Sequence, residues 1–291
     1  MRCLIDAREY DSLDPEAPGK YGASEPLVLR VASALTAAGH RVDGIWKGTE
    51  EKYVDGVVWW PWNYHPHKCD VLISCEWLIH ASEFEFKQLY VPLNKINPIL
   101  DGHEGEVDGF IVFGEEHKRQ LLLYNNTIRP DQCVILPVGV DIPPRSRKVR
   151  HRVIWCHTPE RGLVHIARQW GSILERVPDA TLTLTYGLER SWETNKWLMD
   201  SIAEHLLECV RWKERYVDSI IDLGRADQRA VLQAQAEAEV ASYPCDAPVP
   251  GIVTSLAVME CAAAGDALLL SRLEGLPEMF GDIAKFLDIP V

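Results

Sequence analysis

The chain of 291 residues lacks the signatures of the commonest nucleotide and metal chemistries. No Gly-x-Gly-x-x-Gly run follows a strand-like segment, so the glycine turn that lets a backbone reach a dinucleotide pyrophosphate is absent. There is no Walker A loop, which removes the usual nucleotide hydrolases. No Asp-x-Asp pair is present to clamp a metal–diphosphate complex, and no Gly-x-Ser-x-Gly elbow starts Ser-His-Asp chemistry. Eight cysteines at 3, 69, 75, 133, 156, 209, 245 and 261 include no Cys-x-x-Cys pair. Several lie in apolar runs and read as reduced, buried small hydrophobes. His65, His67 and Cys69 are ligand types, but the second half of a zinc site is missing, so no metal is expected.

Long apolar runs are also missing. None approaches the roughly 18–20 residues that cross a bilayer. The opening MRCLIDAREYDS has no apolar signal core, so a cytoplasmic protein is expected. Positive charge is scarce: 30 Lys and Arg against 43 Asp and Glu leave a net charge of −13. That balance argues against broad adhesion to nucleic acid or anionic membranes. One basic run, Arg145, Arg147, Lys148, Arg150, His151 and Arg152, reads as a solvated linker or as a local phosphate-contacting patch.

What is present is strand alternating with helix, the pattern of a layered α/β protein with parallel sheets. The first half predicts strands at Cys3–Ala7, Arg41–Trp46, Gly56–Trp60, Asp70–Ser74, Gly109–Phe113 and Cys133–Leu136. Helices are predicted at Leu27–Ala38, Leu78–Leu89 and Glu115–Tyr124. The breaker-rich stretch Pro137–Pro144 closes this half and sets domains at 1–144 and 145–291. The second half predicts strands at Arg152–Cys156, Thr181–Tyr186, Ser219–Leu223, Val240–Tyr243 and Ala267–Ser271. Its helices fall at Leu163–Val177, Trp192–Val210, Asp227–Ala238 and Val253–Ala264, the last stopped by Gly265, with a loop at Glu274–Glu278. Two such halves place a cleft between them, faced by the carboxyl ends of both sheets.

An anion-binding set lies in the second half. Arg161 occupies a tight turn between strand and helix, suited to a diphosphate. The helix beginning near Gly251 offers N–H groups without internal partners. Glu260, in an otherwise small and apolar helix, either points to solvent or accepts hydrogen bonds from a ribose diol. Trp59, Trp60, Trp62 and Tyr64 form an aromatic cluster that reads as core or interface, or as a stacking platform for sugars or bases.

These residues occur in a familiar order. His157-Thr-Pro-Glu-Arg-Gly-Leu163, Trp170, Val177-Pro-Asp-Ala180, Tyr186-Gly187, Leu223-Gly224, Tyr243-Pro244, Glu260-Cys-Ala-Ala-Ala-Gly265 and Gly275-Leu-Pro-Glu278 follow one another. Tyr21-Gly22-Ala-Ser-Glu25, Ala37–Val42, Asp70–Ser74, Asp108–Val112 and Pro137–Asp141 agree more loosely. Across nearly the whole chain, the sequence resembles the retaining GT-B glycosyltransferases of the glycogen synthase/sucrose synthase-like group, family four. The resemblance implies two Rossmann-like domains facing a central cleft, with a shortened C-terminus. It implies metal-independent transfer of a sugar from a nucleotide-sugar co-substrate to an acceptor hydroxyl with retention, without a cofactor. Arg161 and Glu76 would be catalytic. Gly22, Arg161, Gly224, Arg225, Gly251, Ile252, Val253, Thr254 and Glu260 would bind the donor. Tyr21, Ser24 and Trp77 would bind the acceptor: a saccharide, a lipid-linked glycan, a small molecule, a protein side chain or a hydroxymethylated pyrimidine in viral DNA.

Departures from the pattern are informative. The group usually carries two glutamates eight residues apart. Glu260 is the second, while the first position holds Ile252, about 12 Å away if both share one helix. Asp246 in the preceding loop is a candidate replacement. A histidine often found after the Asp70 strand is Cys75 here. A catalytically degenerate protein that only binds nucleotide sugars is therefore the alternative.

Overall fold

Runs such as Cys-Leu-Ile at 3–5 and Leu-Leu-Leu at 268–270 have no polar face to turn to water, and they are hidden as strands of parallel sheets. The computed structural model describes residues 1–10, 13–16, 24–75, 78, 80–93, 102, 104–188, 200–245 and 255–288, with Ser24, Asp200 and Ser201 as backbone only. It forms two units, Met1–Val138 and Gly139–Val291, parted inside the Pro137–Pro144 stretch.

Unit 1 contains β1 (Arg2–Asp6), β2 (Arg41–Trp46), β3 (Lys52–Val54), β4 (Val57–Pro61), β5 (Val71–Ser74), β6 (Gln88–Pro92), β7 (Gly109–Val112) and β8 (Cys133–Ile135). Their spatial order is β3-β4-β2-β1-β5-β6-β7-β8. Every pairing is parallel except the β3–β4 hairpin, where Lys52 faces Trp59. Helices α1 (Ser24–Ala37) and α2 (Glu115–Tyr124) belong to this unit. β1 is central, with Cys3 in register with Val42 on one side and Val71 on the other. Asp43 of β2 is fully buried and accepts bonds from Arg2 Nε at 2.9 Å and Trp60 Nε1 at 3.0 Å.

Unit 2 contains β9 (Arg152–Trp155), β10 (Thr181–Leu184), β11 (Ile220–Asp222), β12 (Val240–Tyr243), β13 (Ala267–Ser271) and β14 (Ala284–Leu287). The order β11-β10-β9-β12-β13-β14 is parallel throughout. The described helices are α3 (Leu163–Arg176), α4 (Asp200–Arg215), α5 (Gln228–Glu237), α6 (Leu256–Ala264) and α7 (Leu276–Phe280). Strand order reverses at β9 and β12, so the loops leaving those strands open the crevice where doubly wound sheets bind ligands.

Three sequence expectations change. No helix spans Leu78–Leu89: a single 3-10 turn at Ala81–Glu83 leads into β6, where burial alternates and hides Leu89 and Val91. The turn is held by charge, because Arg8 Nη1 donates to Glu83 Oε2 at 3.0 Å while pairing bidentately with Asp6. α6 begins at Leu256, not near 251–253. Ser255 is its N-cap, in extended conformation, and its Oγ accepts the Val258 N–H at 3.3 Å, as capping serines do. Ile252, and with it the expected spacing of about 12 Å to Glu260, lies outside the described residues. Glu274–Glu278 is not all loop, since Leu276–Phe280 forms α7.

Trp59 is core, 1% exposed, whereas Trp62 and Tyr64 are exposed. None of the eight cysteines is joined in a disulfide. Among the described residues no helix is long and apolar enough to cross a membrane, and no cluster of His, Cys, Asp and Glu could hold a metal.

The core of unit 2 centres on Trp170, which is fully buried, donates from Nε1 to Ser219 Oγ at 2.9 Å and meets Trp212 edge-on. Trp170→Ala should destabilise the protein by about 3–5 kcal/mol, the usual cost of emptying such a site. Urea unfolding would show this as a lowered midpoint.

Candidate functional site

The site builds outward from the end of β9. Trp155 is buried and donates from Nε1 to the His157 carbonyl at 2.7 Å, which fixes the first residues of the turn. Pro159–Arg161 then makes one 3-10 turn with proline at its start. Gly162 follows at φ +105°, in the left-handed region that favours glycine. A Cβ there would meet the Pro244 carbonyl at 2.3 Å, so the turn lies directly on the chain leaving β12. α3 starts at once, with Gly162 as its N-cap and Arg161 just before it.

This close approach brings His157 flat against Tyr243, with centroids 3.6 Å apart and planes 19° from parallel. Burial, then the Arg161 charge, lower the His157 pKa to about 3, so the imidazole is neutral at physiological pH. Burial raises the Tyr243 hydroxyl well above its usual range. Burial also disfavours charge on Arg161, but contact with Tyr243, Cys245 and Glu160 outweighs it and raises its pKa. One half-buried, permanent positive charge thus stands at the carboxyl edge of the sheet, beside a neutral imidazole and a neutral phenol.

A second part lies over β10 and β11. Tyr186, Gly187, Leu188, Gly224 and Arg225 line a cavity of about 300 Å³ together with Lys213 and Asp222. Two left-handed glycines make it possible: a Cβ on Gly187 would stand 3.0 Å from Gly224 Cα. The Arg225 guanidinium lies 5.5 Å from the Tyr186 ring centroid. Volume of this order is at the small end for ligand cavities, enough for one ring system.

Glu260 forms the third part. It does not point to solvent: it is 6% exposed in α6. Its Oε1 accepts Gln228 Nε2 at 3.0 Å and its Oε2 accepts Gln235 Nε2 at 3.2 Å. Gln235 Nε2 also lies 3.7 Å from Cys156 Sγ, beside the Arg161 turn.

The structure therefore places Arg161, Gly224, Arg225 and Glu260 at the carboxyl edge of one sheet, on β-to-α connections or the helix behind them. Ser24 is the first residue of α1. Tyr21, Gly22, Glu76, Trp77, Asp246, Gly251, Ile252, Val253 and Thr254 lie outside the described residues. Sequence reasoning missed Gln228, Gln235, Lys213 and Asp222. The two glutamines are seven apart, hence on one face of α5, which was a readable signal. Lys213 and Asp222 belong to a helix and a strand and have none.

No protein-family model matches the chain, and no curated protein matches it. Solved structures do share its architecture. The glycosyltransferase AviGT4 of avilamycin A biosynthesis matches 99% of this chain and 83% of its own, at 13% identity and a TM-score of 0.69. Sucrose-phosphate synthase from Thermosynechococcus elongatus matches 99% and 86%, at 14% identity and a TM-score of 0.68. HepE of Anabaena in complex with UDP and glucose matches 96% and 83%, at 13% identity and a TM-score of 0.65. These neighbours are GT-B glycosyltransferases, and the chain has the same fold of two doubly wound α/β units.

Two outcomes test this geometry. Gly162→Ala should cost about 1–3 kcal/mol for a non-glycine in that backbone region, and more for the contact with Pro244; a thermal midpoint equal to wild type would contradict the close approach. His157 has a lower pKa folded than unfolded, so its contribution is fully present above about pH 6.5. It is lost as pH falls towards 3, with one proton taken up on unfolding, about 1.4 kcal/mol per pH unit. His157→Phe keeps the stack on Tyr243 and should flatten the dependence of stability on pH between 6 and 4 in urea series. Parallel slopes would rule out a neutral imidazole.

Proposed function

We propose that the chain is a glycosyltransferase drawing on a nucleotide-sugar donor held at the carboxyl edge of the unit 2 sheet. The observation carrying this reading is the line from the cavity to the Arg161 turn. Gly224 and Arg225 wall the cavity, Gln228 three residues on holds Glu260, and Gln235 joins Glu260 to Cys156. Cys156 leads into the turn of Arg161. A nucleoside diphosphate has the same sequence of parts: base, ribose diol, diphosphate. The base fills the cavity beside Tyr186, Glu260 accepts the ribose hydroxyls, and Arg161 with the α3 N-terminus faces the diphosphate. The HepE complexes with UDP and glucose and with UDP-glucose support the donor class.

In this reading the bond from the anomeric carbon to the diphosphate breaks through an oxocarbenium-like state. Negative charge grows on the leaving phosphate, where Arg161 is already charged and positioned. The N–H groups of Gly251–Thr254 belong to the same proposal. With that charge supplied by the protein, transfer proceeds without a metal. The acceptor hydroxyl attacks the face the phosphate leaves, giving retention, and a leaving-phosphate oxygen takes its proton. Tyr21, Ser24 and Trp77 are assigned to the acceptor, Glu76 to catalysis beside it, and Gly22 to the donor. Eight cysteines outside any disulfide suit a reducing, cytoplasmic setting.

Arg161→Ala should lower turnover at saturating donor by about tenfold or more, the scale of losing one donor to a developing oxyanion. Steady-state assay of nucleotide release across a panel of nucleotide sugars checks this, and unchanged turnover would defeat the assignment. Ile252, where the family pattern has a carboxylate, favours a second reading, a protein that binds the donor without transfer. Calorimetric donor binding with no release to any acceptor or to water would establish it.

A further inference from the structure

The cavity of unit 2 has a charged wall. Lys213, in the last turn of α4, and Asp222, the last residue of β11, form an ion pair lining it. Asp222 is fixed through both oxygens: Oδ1 accepts the Gly224 N–H at 2.8 Å, and Oδ2 accepts Lys213 Nζ. The side chains are 13% exposed for the aspartate and 33% for the lysine, so both can be reached from the cavity. A carboxylate has about four lone-pair positions, so each oxygen retains capacity for another donor. One edge of the cavity therefore offers a single cationic donor followed by two anionic acceptors.

The four bases meet this edge differently. Guanine presents a carbonyl acceptor, then an imino and an amino donor side by side, so its carbonyl meets the ammonium and both donors meet the carboxylate. Uracil has one imino donor between two carbonyls, and its second carbonyl would face a carboxylate oxygen. Adenine and cytosine present one amino donor beside a ring-nitrogen acceptor and engage only one carboxylate oxygen. Tyr186 and the nearly touching Gly187 and Gly224 form other walls of the same cavity, against which a planar ring system can lie.

We infer that the Lys213–Asp222 pair reads the nucleobase and selects guanine, making the donor a guanosine-diphosphate sugar. This rests on the donor site proposed above. It differs from the uracil nucleotide bound by HepE, so fold likeness does not lead to it. Lys213 and Asp222 are specificity-determining residues here, remote from the bond that breaks.

Titration calorimetry of the full chain with GDP, UDP, ADP and CDP tests the assignment. GDP should bind about tenfold or more tighter than the other three, within the range of one bidentate base contact. Asp222→Asn keeps a carbonyl oxygen for the Gly224 N–H but replaces one acceptor with a donor. It should weaken GDP about tenfold and leave UDP within about threefold. Lys213→Met provides a second variant if Asp222→Asn unfolds, and it should also weaken GDP more than UDP. UDP binding as tightly as GDP, or a variant weakening all four alike, would overturn the base assignment while leaving the donor site standing. No binding of any of the four would remove the donor site itself, and the inference with it.

Discussion

The buried carboxylate of Glu260 is the constraint on which the carboxyl edge of the unit 2 sheet depends. An ion removed from water costs several kcal/mol unless other groups replace its hydration. Among the groups that do so here are two neutral amides, Gln228 on one oxygen and Gln235 on the other. The same contacts tie α6 to α5, and α5 in turn to the loop of Gly224 and Arg225 that precedes it. Asp227 caps α5 by accepting the Ala230 N–H at 2.8 Å, which fixes where Gln228 projects. Placing one carboxylate thus sets the relation between a cavity wall and the end of β9.

The positive end of the site follows from backbone geometry more than from ion pairing. Gly162 lets the turn after β9 rest on Pro244, and that contact stacks His157 on Tyr243. Had His157 been protonated, two cations would share the turn. Its depressed pKa leaves the charge on Arg161 alone, in surroundings drier than water, where electrostatic interactions are stronger. A leaving phosphate would therefore meet one localised charge and the α3 N–H groups.

Much of this architecture was legible because its cues are local. Glu115–Tyr124 and Ala267–Ser271 were read without error from periodicity, and Gly265 ends α6 at φ +83°, as a helix-stopping glycine does. The segment Leu78–Leu89 misled because Leu78, Ala81 and Phe84 are apolar at helical spacing and are indeed buried. What decides its shape is distant: Arg8 draws Glu83 inward, and β5 and β7 recruit Gln88–Pro92 as a strand. β3 was overlooked although Asp55-Gly56, both at positive φ, carry the hairpin signal. In the site, Arg161 and Glu260 lie in turns and helices with recognisable neighbours. Lys213 and Asp222 meet only after α4 packs behind β11, and no spacing in the sequence encodes that meeting.

Charge on the folded surface also bears on the acceptor. The basic run Arg145–Arg152 invited a phosphate-contacting role, yet half of its six basic side chains are engaged within unit 2. Lys148 pairs with Asp266, Arg152 with Glu237 at 2.7 Å, and His151 with Asp179 at 2.7 Å. Arg145, Arg147 and Arg150 remain exposed. Affinity for a nucleic-acid backbone grows with the number of phosphates neutralised, so three exposed arginines supply only a weak attraction. Set in a chain of net charge −13, they are opposed by long-range repulsion. The run is better explained by the joint it forms: Lys148 and Arg152 fasten the segment entering β9 to α5 and to the start of β13, next to the helices that carry Gln235 and Glu260. The physical balance thus weighs against a duplex docking on this run, and gives its basic residues a part in holding unit 2 together.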